Sequence, residues 1–522
     1  MPENLKPITK ADFSSGINVT SSPWKLKPTE LLRATNFILS QDGSLSTRDG
    51  AVTVEQAPQI PATVSSIIAL QSLARTDGTV FRFRITQELD GTQKLYRSDT
   101  PWQLLGTFDL TYDNAMLLNF LNQTLITDGY HVPYVTDGTT FTIFPTDPAA
   151  DMIPGAKWMV IHQNAVWAWN TAATTSTYDG PSSIRQSDVE NFHSWPVGNQ
   201  LFVAKDDGQS GTGMGVFTIA EAGISPDNVL MLFKDFSTYQ CSGAFGGSAA
   251  PVITQVKTDM GCIAGRSIQF IPNFGMVRLT HRGFALIDGL NDQVISDPIR
   301  AYIFGRDDIP GLNYASVGLS VATQTQNPPL YICACPSTQG SPGLDRMFIF
   351  DVTRKAWTVC TFPLAWATCN LILEPGVLPS TQVGLFNRAG VQRIFAGDER
   401  DDGVKVDWRV RFPPVANPMQ RTYVRRFLAE FFHIYQGQDV TAEFVLGPAR
   451  SPQRVTQTKR VTISANAYPG SGLSDAVEDE LYFDVGRTGE VLWTELTGSG
   501  CVTLRGVMWQ LSQKQLTRPM RI

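Results

Sequence analysis

The sequence predicts an all-β protein built around a β-propeller of six to eight blades, and three observations support this prediction. Short runs rich in β-branched and aromatic residues recur along the chain, as in "TVFRFRI" and "RMFIFDV". A unit of strand, polar turn and second strand repeats from residues 122, 164, 228, 282 and 346, which brackets blades of roughly 40 to 50 residues with insertions. Asp-Gly pairs, which favour tight hairpin turns, punctuate these runs; they begin at Asp42, Asp49, Asp77, Asp90, Asp128, Asp137, Asp179, Asp207, Asp288 and Asp402.

Residues 1–60 are predicted to form an N-terminal docking arm with a sharp hairpin. Two Asp-Gly pairs lie within residues 42–50, and we expect Gly43 and Gly50 to adopt positive φ angles. Arg48 is expected to donate hydrogen bonds to backbone carbonyls or to an acidic partner. A plain surface hairpin is the alternative interpretation of the same residues.

The arm is also expected to contain one or two helical turns within residues 27–39, because Pro28 suits the first turn of a helix. Its apolar side chains exceed what a free segment should expose to water. They are Phe13, Trp24, Leu31, Leu32, Phe37 and Ile38.

Residues 61–402 are predicted to form the propeller, and the clearest blade spans residues 317–363. Its outer hairpin resembles those of kelch-like blades, in which an aromatic residue packs between neighbouring blades. Trp357 is that residue here, and the equivalent positions are Trp102, Trp195, Phe284 and Trp366. An ordinary hairpin with a packed aromatic side chain explains each of these positions equally well, and it is their recurrence that favours a propeller. The residues assigned to blade packing are Trp195, Phe233, Tyr239, Gly275 and Trp357.

Residues 403–522 are predicted to form a β-sandwich-like domain of about seven or eight strands. The boundary is indicated by "GDERDDG" at residues 397–403, after which the strands lengthen. Residues 421–436 are predicted to form a long strand and not a helix, because apolar and polar positions show no helical stripe.

The search for catalytic or metal-binding chemistry is mostly negative. The five histidines are not spaced as metal ligands, and the seven cysteines lie mostly in apolar runs, as expected of reduced core residues of a cytoplasmic product. The glycine-rich "GQSGTGMG" at residues 208–215 lacks the Gly-Lys-Ser/Thr ending of a phosphate-binding loop. No apolar run predicts a signal peptide or a transmembrane helix. We therefore expect neither enzyme activity, nor a cofactor, nor a bound metal.

One pattern extends over residues 12–52: Phe then Gly, a Ser-Pro stretch ending in Glu, then Asn, then Gly-x-Leu-x-x-Arg-x-Gly. The sequence meets it at Phe13, Gly16, Ser22, Pro23, Glu30, Asn36, Gly43, Leu45, Arg48 and Gly50. Looser matches lie at residues 182–195, 228–243, 261–279 and near the C-terminus. In this pattern the sequence resembles β-propeller tail proteins of short-tailed bacteriophages, a group of tail tubular or nozzle proteins and packaged-DNA stabilisation proteins.

The resemblance implies a structural protein of the virion tail, assembled in the host cytoplasm as a homo-oligomeric ring with six-fold symmetry. The ring would continue the portal channel, contact the portal or adaptor complex and tail fibre or needle proteins, and let genomic DNA pass without sequence-specific binding. The formal net charge of -6 suits this role, because a cationic wall would bind phosphates. The motif residues Phe13, Gly16, Asn36, Gly43, Leu45, Arg48 and Gly50 would serve assembly.

Two other function classes stay open: a receptor- or glycan-binding propeller of the tail tip, and a hydrolase, for which the sequence offers no carboxylate pair or catalytic triad. If the N-terminal segment is a docking arm, which we call the arm hypothesis, a chain without residues 1–55 is expected to keep a folded propeller but to fail in tail assembly.

Overall fold

Both ends of the chain contribute strands to the body of the protein. The computed structural model describes residues 6–108, 115–129, 131–144, 155–171, 180–219, 227–247, 249–289, 291–306, 308–326, 328–338, 343–374, 377–396, 400–415, 422–435, 438–447, 452–461 and 476–513. Five short strands begin the chain: β1 (Lys6–Lys10), β2 (Arg33–Thr35), β3 (Phe37–Leu39), β4 (Leu45–Thr47) and β5 (Val52–Glu55).

Five separate four-stranded antiparallel sheets follow, and each is one propeller blade. Blade 1 contains β6 (Val64–Ala74), β7 (Val80–Glu88), β8 (Gln93–Arg97) and β9 (Gln103–Phe108). Blade 2 contains β10 (Met116–Phe120), β11 (Gln123–Thr127), β12 (Tyr134–Thr136) and β13 (Phe141–Ile143). Blade 3 contains β14 (Ala156–His162), β15 (Ala165–Thr171), β16 (Ser183–Gln186) and β17 (Gln200–Phe202).

Blades 4 and 5 follow in chain order, and a short helix comes after them. Blade 4 contains β18 (Gly213–Ile219), β19 (Asp227–Phe233), β20 (Thr238–Ser242) and β21 (Val252–Lys257). Blade 5 contains β22 (Gln269–Ile271), β23 (Gly275–Thr280), β24 (Gly283–Asp288) and β25 (Asn291–Val294). Helix is confined, within the described residues, to α1 (Arg300–Phe304) and to 3₁₀ turns at Pro23–Lys25, Gly265–Ser267, Asp297–Ile299 and Val317–Leu319.

Two further blades share one long strand. Blade 6 consists of β26 (Val321–Gln326), β27 (Pro329–Cys335), β28 (Leu344–Asp351) and the first part of β29 (Ala356–Glu374). The second part of β29 begins blade 7 and pairs with β30 (Val377–Leu385), which pairs with β31 (Val391–Arg393). The fourth strand of blade 7 is β5, from the start of the chain. The described residues thus form seven blades, within the predicted range of six to eight.

The innermost strands follow one another around an axis, and the ring closes between blades 7 and 1. Asn370 of β29 donates through Nδ2 to the carbonyl of Leu70 and to Oε1 of Gln71, both at 2.8 Å. These bonds join the last blade to the first. The propeller is therefore closed by β5 on its outer side and by the Asn370 amide near its axis.

The remaining strands form a two-layered sandwich after a small hairpin of β32 (Arg400–Asp401) and β33 (Val404–Lys405). They are β34 (Asp407–Phe412), β35 (Thr422–Tyr435), β36 (Asp439–Gly447), β37 (Gln453–Arg460), β38 (Ala476–Ser499) and β39 (Val502–Gln513). In the first layer β39 lies between β35 and the N-terminal strands β1 and β4, and the first part of β38 pairs with β35. The second layer runs β2, β34, the second part of β38, β36 and β37.

The sandwich and the propeller are joined by hydrogen-bonded backbone. Strand β2 pairs with β34 on one side and meets β29 of blade 6 on the other, where Thr35 lies opposite Val359. The sheet of blade 6 therefore continues through β2 into the second layer of the sandwich. A single apolar cluster also extends from Phe284 of blade 5 to Trp509 of β39.

The N-terminal residues differ from the predicted docking arm of residues 1–60. Strands β1 to β4 belong to the sandwich and β5 belongs to the propeller, so this segment is not a separate unit. Phe13, Leu31 and Phe37 are fully buried within the same chain, which accounts for the apolar surface of the segment.

Two predictions about single elements had different outcomes. The helical turns expected in residues 27–39 are wrong, because β2 and β3 occupy this stretch; β2 pairs with the distant strand β34, and β3 pairs with the neighbouring strand β4. The long strand expected at residues 421–436 is confirmed by β35.

In five of the ten Asp-Gly pairs, at Asp42, Asp77, Asp90, Asp137 and Asp207, the aspartate accepts a backbone hydrogen bond from the residue two positions later. This bond is 2.9 Å long from Thr79 to Asp77 and from Thr92 to Asp90, and 2.8 Å from Thr139 to Asp137. Such bonds lower the pKa of the Asp77 and Asp90 carboxyl groups. The turn therefore uses the carboxylate as well as the flexibility of glycine.

Candidate functional site

Arg48 is buried where the N-terminal hairpin, blade 6 and the end of the propeller meet. Its guanidinium donates to both carboxylate oxygens of Asp401, at 2.8 and 2.5 Å, and to the carbonyl of Thr361 at 2.9 Å. Nε donates to Oδ1 of Asn36 at 3.2 Å, and the ring of Phe362 lies 3.8 Å from the guanidinium carbon. Arg48 thus has both kinds of partner that the sequence suggested, a carbonyl and a carboxylate. We call these five residues the Arg48 cluster.

Asn36 connects the Arg48 cluster to the sandwich. Its φ angle is 64°, in the region that asparagine tolerates better than most residues. Its Nδ2 donates to the carbonyl of Asp407 at 2.6 Å, and its Oδ1 accepts from the backbone N–H of Thr361 at 2.8 Å. The Asn36 side chain therefore holds β29 of the propeller against β34 of the sandwich.

The glycines of the N-terminal motif are required for different reasons. Gly43 has a φ of +85°, as expected for the β3–β4 turn. The positive φ expected at Gly50 is wrong; instead, an added Cβ there would lie 2.0 Å from the carbonyl oxygen of Arg400. Gly16 combines both constraints, with a φ of +63° and 2.6 Å between an added Cβ and the carbonyl oxygen of Trp357. At Gly16 and Gly50, backbone of the N-terminal segment lies directly against the propeller.

The two apolar residues of the motif lie in the core that the propeller and the sandwich share. Phe13 and Leu45 are fully buried. The ring of Phe13 lies 6.2 Å from that of Phe412 in β34, centroid to centroid. Six of the seven motif residues therefore lie within or beside the join between the two parts of the protein, and Gly43 forms the β3–β4 turn.

The tryptophans assigned to blade packing lie between neighbouring blades. Trp357 of blade 6 donates through Nε1 to the carbonyl of Ile295 at 2.9 Å, and its ring lies 5.0 Å from that of Phe284 in blade 5. Trp195 is fully buried in an apolar cluster with residues of blades 2 and 3, and its Nε1 donates to the carbonyl of Phe192 at 2.7 Å.

The other assigned residues pack around blade 4. Tyr239 lies in the apolar cluster between blades 3 and 4, and Phe233 lies in the one between blades 4 and 5. The guanidinium carbon of Arg278 lies 5.0 Å from the centre of the Phe233 ring. Gly275, at φ +132°, begins β23, where an added Cβ would lie 2.2 Å from the carbonyl oxygen of Ile287.

A second buried ionic cluster, which the sequence analysis missed, lies where β5 meets blade 1. Arg84 donates to both carboxylate oxygens of Glu55 at 3.0 Å and to Oε1 of Gln382 at 3.2 Å. Ser98 also donates to Glu55. Burial alone would raise the pKa of Glu55, but the charge of Arg84 and these hydrogen bonds together lower it below 4.5. The pair joins the outer strand of blade 7 to blade 1.

An axial cavity of ≈ 230 Å³ lies inside the ring of innermost strands. Each blade contributes to its lining, which includes Leu70 of blade 1, Met116 of blade 2, Trp158 of blade 3, Met214 of blade 4, Gln269 of blade 5, Val321 of blade 6 and Asn370 of blade 7. The volume corresponds to roughly eight water molecules at about 30 Å³ each. A DNA duplex does not fit through such a space.

Arg266 is the charged residue among the described residues that line the axial cavity. It projects from the 3₁₀ turn at Gly265–Ser267 and donates to Oγ1 of Thr368 at 2.8 Å. Burial lowers the pKa of Arg266 to about 10. The sequence around it, "AGRSIQF", gave no indication that this side chain lies on the propeller axis.

The described residues offer no other concentration of reactive groups. No three His, Cys, Asp or Glu side chains among them gather as potential metal ligands. Burial raises the pKa of Cys360 and Cys369 to about 12, so both thiols stay protonated at neutral pH. None of the described helices is long and apolar enough to cross a membrane.

No protein-family model matches this sequence, and no curated protein matches it. Solved structures with similar backbones share little sequence with the chain. BBS1N, solved in complex with ARL6DN, is 8% identical with a TM-score of 0.41, over 67% of this chain and 98% of that one. The WD40 β-propeller domain of Doa1 is 9% identical with a TM-score of 0.33, over 64% of this chain and 95% of that one.

The six-bladed propeller of the fungal Aleuria aurantia lectin is 14% identical with a TM-score of 0.30, over 57% of this chain and 96% of that one. These likenesses concern the fold alone.

Proposed function

We propose that this protein is a structural subunit of the tail of a short-tailed bacteriophage. The subunits form a ring of six-fold symmetry that continues the portal channel, retains the packaged DNA and lets it pass during ejection. The neighbours of this ring are the portal or adaptor complex and tail fibre or needle proteins. The chain acts by shape and stiffness and catalyses no reaction.

The observation that carries the proposal is the position of the motif residues on which the resemblance to tail propeller proteins rests. Asn36 and Arg48 hydrogen-bond across the join between propeller and sandwich, and Gly16 and Gly50 allow close backbone contact there. The motif therefore specifies how two β domains are held together. A rigid two-domain subunit suits a channel wall that resists the pressure of packaged DNA.

The proposed DNA channel lies between subunits and not along the propeller axis, because the axial cavity of ≈ 230 Å³ is too small. A channel of this kind requires a closed ring, and a closed ring requires a contact between two different surfaces of adjacent subunits. Phe13, Leu31 and Phe37 of the N-terminal segment are fully buried in their own chain and cannot provide the contact, although Trp24 is 38% exposed.

The outer face of the first sandwich layer is a suitable contact surface. Met508, Leu428 and Tyr482 lie side by side across β39, β35 and β38, on the face opposite to the buried Trp509. Ion pairs of Arg426 with Asp484 and of Arg505 with Glu430 lie beside this row. We call these three side chains the β39–β35–β38 row and assign them to the contact with a second copy of the chain. An apolar centre with a charged rim is typical of protein interfaces.

Electron microscopy of the purified protein tests the proposal directly. We expect negatively stained particles to show rings with a central pore, alone or on addition of the portal and adaptor proteins. The double variant Tyr482→Lys, Met508→Lys should shift the protein to monomers in mass photometry. Leu89→Lys, at an exposed position of blade 1, is the matched control and should leave the rings intact.

Two outcomes would contradict the proposal. The protein could remain monomeric at all concentrations and with the portal and adaptor proteins present. It could also bind specific sugars on a glycan array, which would favour a receptor- or glycan-binding propeller of the tail tip.

A further inference from the structure

Two polar side chains of the N-terminal segment, those of Lys10 and Asn18, are both hydrogen-bonded to Glu30. Lys10, the last residue of β1, donates through Nζ to the backbone carbonyl of Glu30. Asn18 donates through Nδ2 to Oε1 of the Glu30 carboxylate at 3.1 Å. An amine and a carboxamide thus lie within hydrogen-bond reach of the same residue, an arrangement that the proposed tail function does not require.

The backbone holds Asn18 and Glu30 in place. Ile17 and Leu31 form a parallel bridge, beside which the N–H of Asn18 donates to the carbonyl of Leu31 at 2.8 Å. The second carboxylate oxygen of Glu30, Oε2, accepts from the backbone N–H of Lys27 at 2.7 Å. The carboxylate is therefore oriented with Oε1 towards the Asn18 amide.

The surroundings of the Lys10 amine favour its neutral, nucleophilic form. The centre of the Phe13 ring lies 5.9 Å from Nζ. Burial lowers the pKa of Lys10 to about 8, although the charges of Glu30 and Asp12 act in the opposite direction. Desolvation of this kind is one of the ways in which proteins activate a lysine as a nucleophile.

The carboxamide of Asn18 is placed as an electrophile. Its Oδ1 accepts a hydrogen bond from the backbone N–H of Ser21 at 3.0 Å. When a nucleophile adds to Cγ, negative charge develops on Oδ1, and a fixed N–H donor stabilises that charge as in an oxyanion hole. Only 9% of Asn18 is exposed, which limits competition from water.

We propose that Lys10 and Asn18 form an intramolecular isopeptide bond. The neutral Nζ attacks Cγ of Asn18, and the Glu30 carboxylate takes a proton from Nζ and gives it to Nδ2, which leaves as ammonia. One C–N bond forms and one breaks, so the reaction consumes no oxidant and no cofactor.

The bond lies at the join between the sandwich and the propeller. Strand β1 pairs with β39 of the sandwich. Ile17, next to Asn18, donates to the carbonyl of Trp357 in blade 6 at 3.1 Å. A covalent link between Lys10 and Asn18 therefore ties an edge strand of the sandwich to a segment that contacts the propeller. The link does not depend on the tail function proposed above.

Intact-mass spectrometry of the full chain tests this inference. We expect the unaltered protein to be lighter than its sequence by one molecule of ammonia. A tryptic digest should contain a branched peptide that joins Lys10 to Asn18. The variants Lys10→Arg and Asn18→Ala should have the full mass of their sequences, whereas the matched control Lys25→Arg, at an exposed position, should still lose ammonia.

Glu30→Gln tests the proton transfer separately. The glutamine has nearly the same size but cannot carry the proton between the two nitrogens. We expect bond formation to slow about a hundredfold or more, measured as the cross-linked fraction over time after a pulse of synthesis. A rate equal to that of the unaltered protein would contradict the role of Glu30 as base and acid.

The mass of the unaltered protein decides the question even if a variant does not fold. A mass equal to that of the sequence would overturn the inference. A loss of ammonia that persists in Lys10→Arg would also overturn it, because it would indicate a cyclic imide at an asparagine and not a bond to Lys10.

Discussion

The Arg48 cluster shows how much can depend on one residue. Replacement of Arg48 by methionine leaves Asp401 as a buried carboxylate without its guanidinium partner, along with the carbonyl of Thr361. Loss of one partner of a buried ion pair typically costs about 3 to 5 kcal/mol. We expect Arg48→Met to lower the free energy of unfolding by this amount in urea titrations followed by tryptophan fluorescence.

An exposed ion pair provides the control for this prediction. Arg454 pairs with Glu443 at 3.1 Å, and 68% of the arginine side chain is exposed. Arg454→Met should change the free energy of unfolding by less than about 1 kcal/mol. Equal effects of the two substitutions would mean that the Arg48 cluster does not hold the join.

Glu55 makes part of the stability depend on pH. Its pKa is lower in the folded protein than the ordinary 4.5, so the ionised carboxylate favours folding above pH 4.5. This contribution declines as the pH falls below 4.5 and is lost once the pH passes the folded pKa. The free-energy difference between the wild-type protein and Glu55→Gln should therefore be largest near neutral pH and smaller in acid. A difference that stays constant with pH would contradict the argument.

At the scale of elements, β5 carries the sharpest prediction. Removal of residues 6–55 takes away the outer strand of blade 7, the Glu55 partner of Arg84, and strands β1 to β4 of the sandwich. In contrast to the arm hypothesis, we expect the truncated chain to aggregate or to melt at a markedly lower temperature. Co-expression of residues 6–55 as a separate fragment should restore part of the lost stability.

An insertion at a hairpin turn is the control for this truncation. A Cβ added at Gly78, in the β6–β7 turn, would meet no atom within 4 Å. A few glycine and serine residues inserted there should be tolerated, because exposed loop tips accept insertions. A truncated chain that melts like the protein with this insertion would show that β5 is dispensable for the propeller.

The sequence predicted those elements whose signals are local. Asp-Gly pairs and alternating apolar residues indicated the blade hairpins, and the absence of a helical stripe indicated the strand β35. Most of the N-terminal strands were missed because they pair with strands more than 300 residues away, as Thr35 does with Val359, whereas the pairing of β3 with β4 is local. Three-residue strands such as β2 are too short to show alternation, so Pro28 suggested a helix instead. Arg266 was missed because a single arginine in a loop has no periodic signal.

At the scale of the whole molecule, the propeller and the sandwich should unfold together. The sheet that runs from blade 6 through β2 to β37 and the shared apolar cluster couple the two parts. We expect one calorimetric transition in which the directly measured enthalpy equals the van't Hoff enthalpy. Two separated transitions would indicate that the join contributes little.

The general architecture followed from the sequence, but the division of the chain into parts did not. Composition and turn spacing indicated a propeller followed by a sandwich, and both are present. The boundary at residue 60 was misplaced, because the N-terminal segment contributes strands to both the propeller and the sandwich. These shared strands depend on pairing between segments that are distant in sequence, as Lys6 pairs with Leu511.

The pairing of β1 with β39 also affects how the protein folds during its synthesis. The ribosome makes β1, β2 and β5 before the blades, yet their partners β39, β34 and β31 are made only after blades 1 to 5. Until these partners are made, apolar side chains of the N-terminal segment such as Phe13 and Phe37 stay exposed to water. Blades 1 to 5, in contrast, can each pair their own strands as they leave the ribosome. Contacts between such distant segments slow folding, and strands that have not yet paired are prone to aggregate. Nascent chains should thus need a chaperone until the last strand leaves the ribosome.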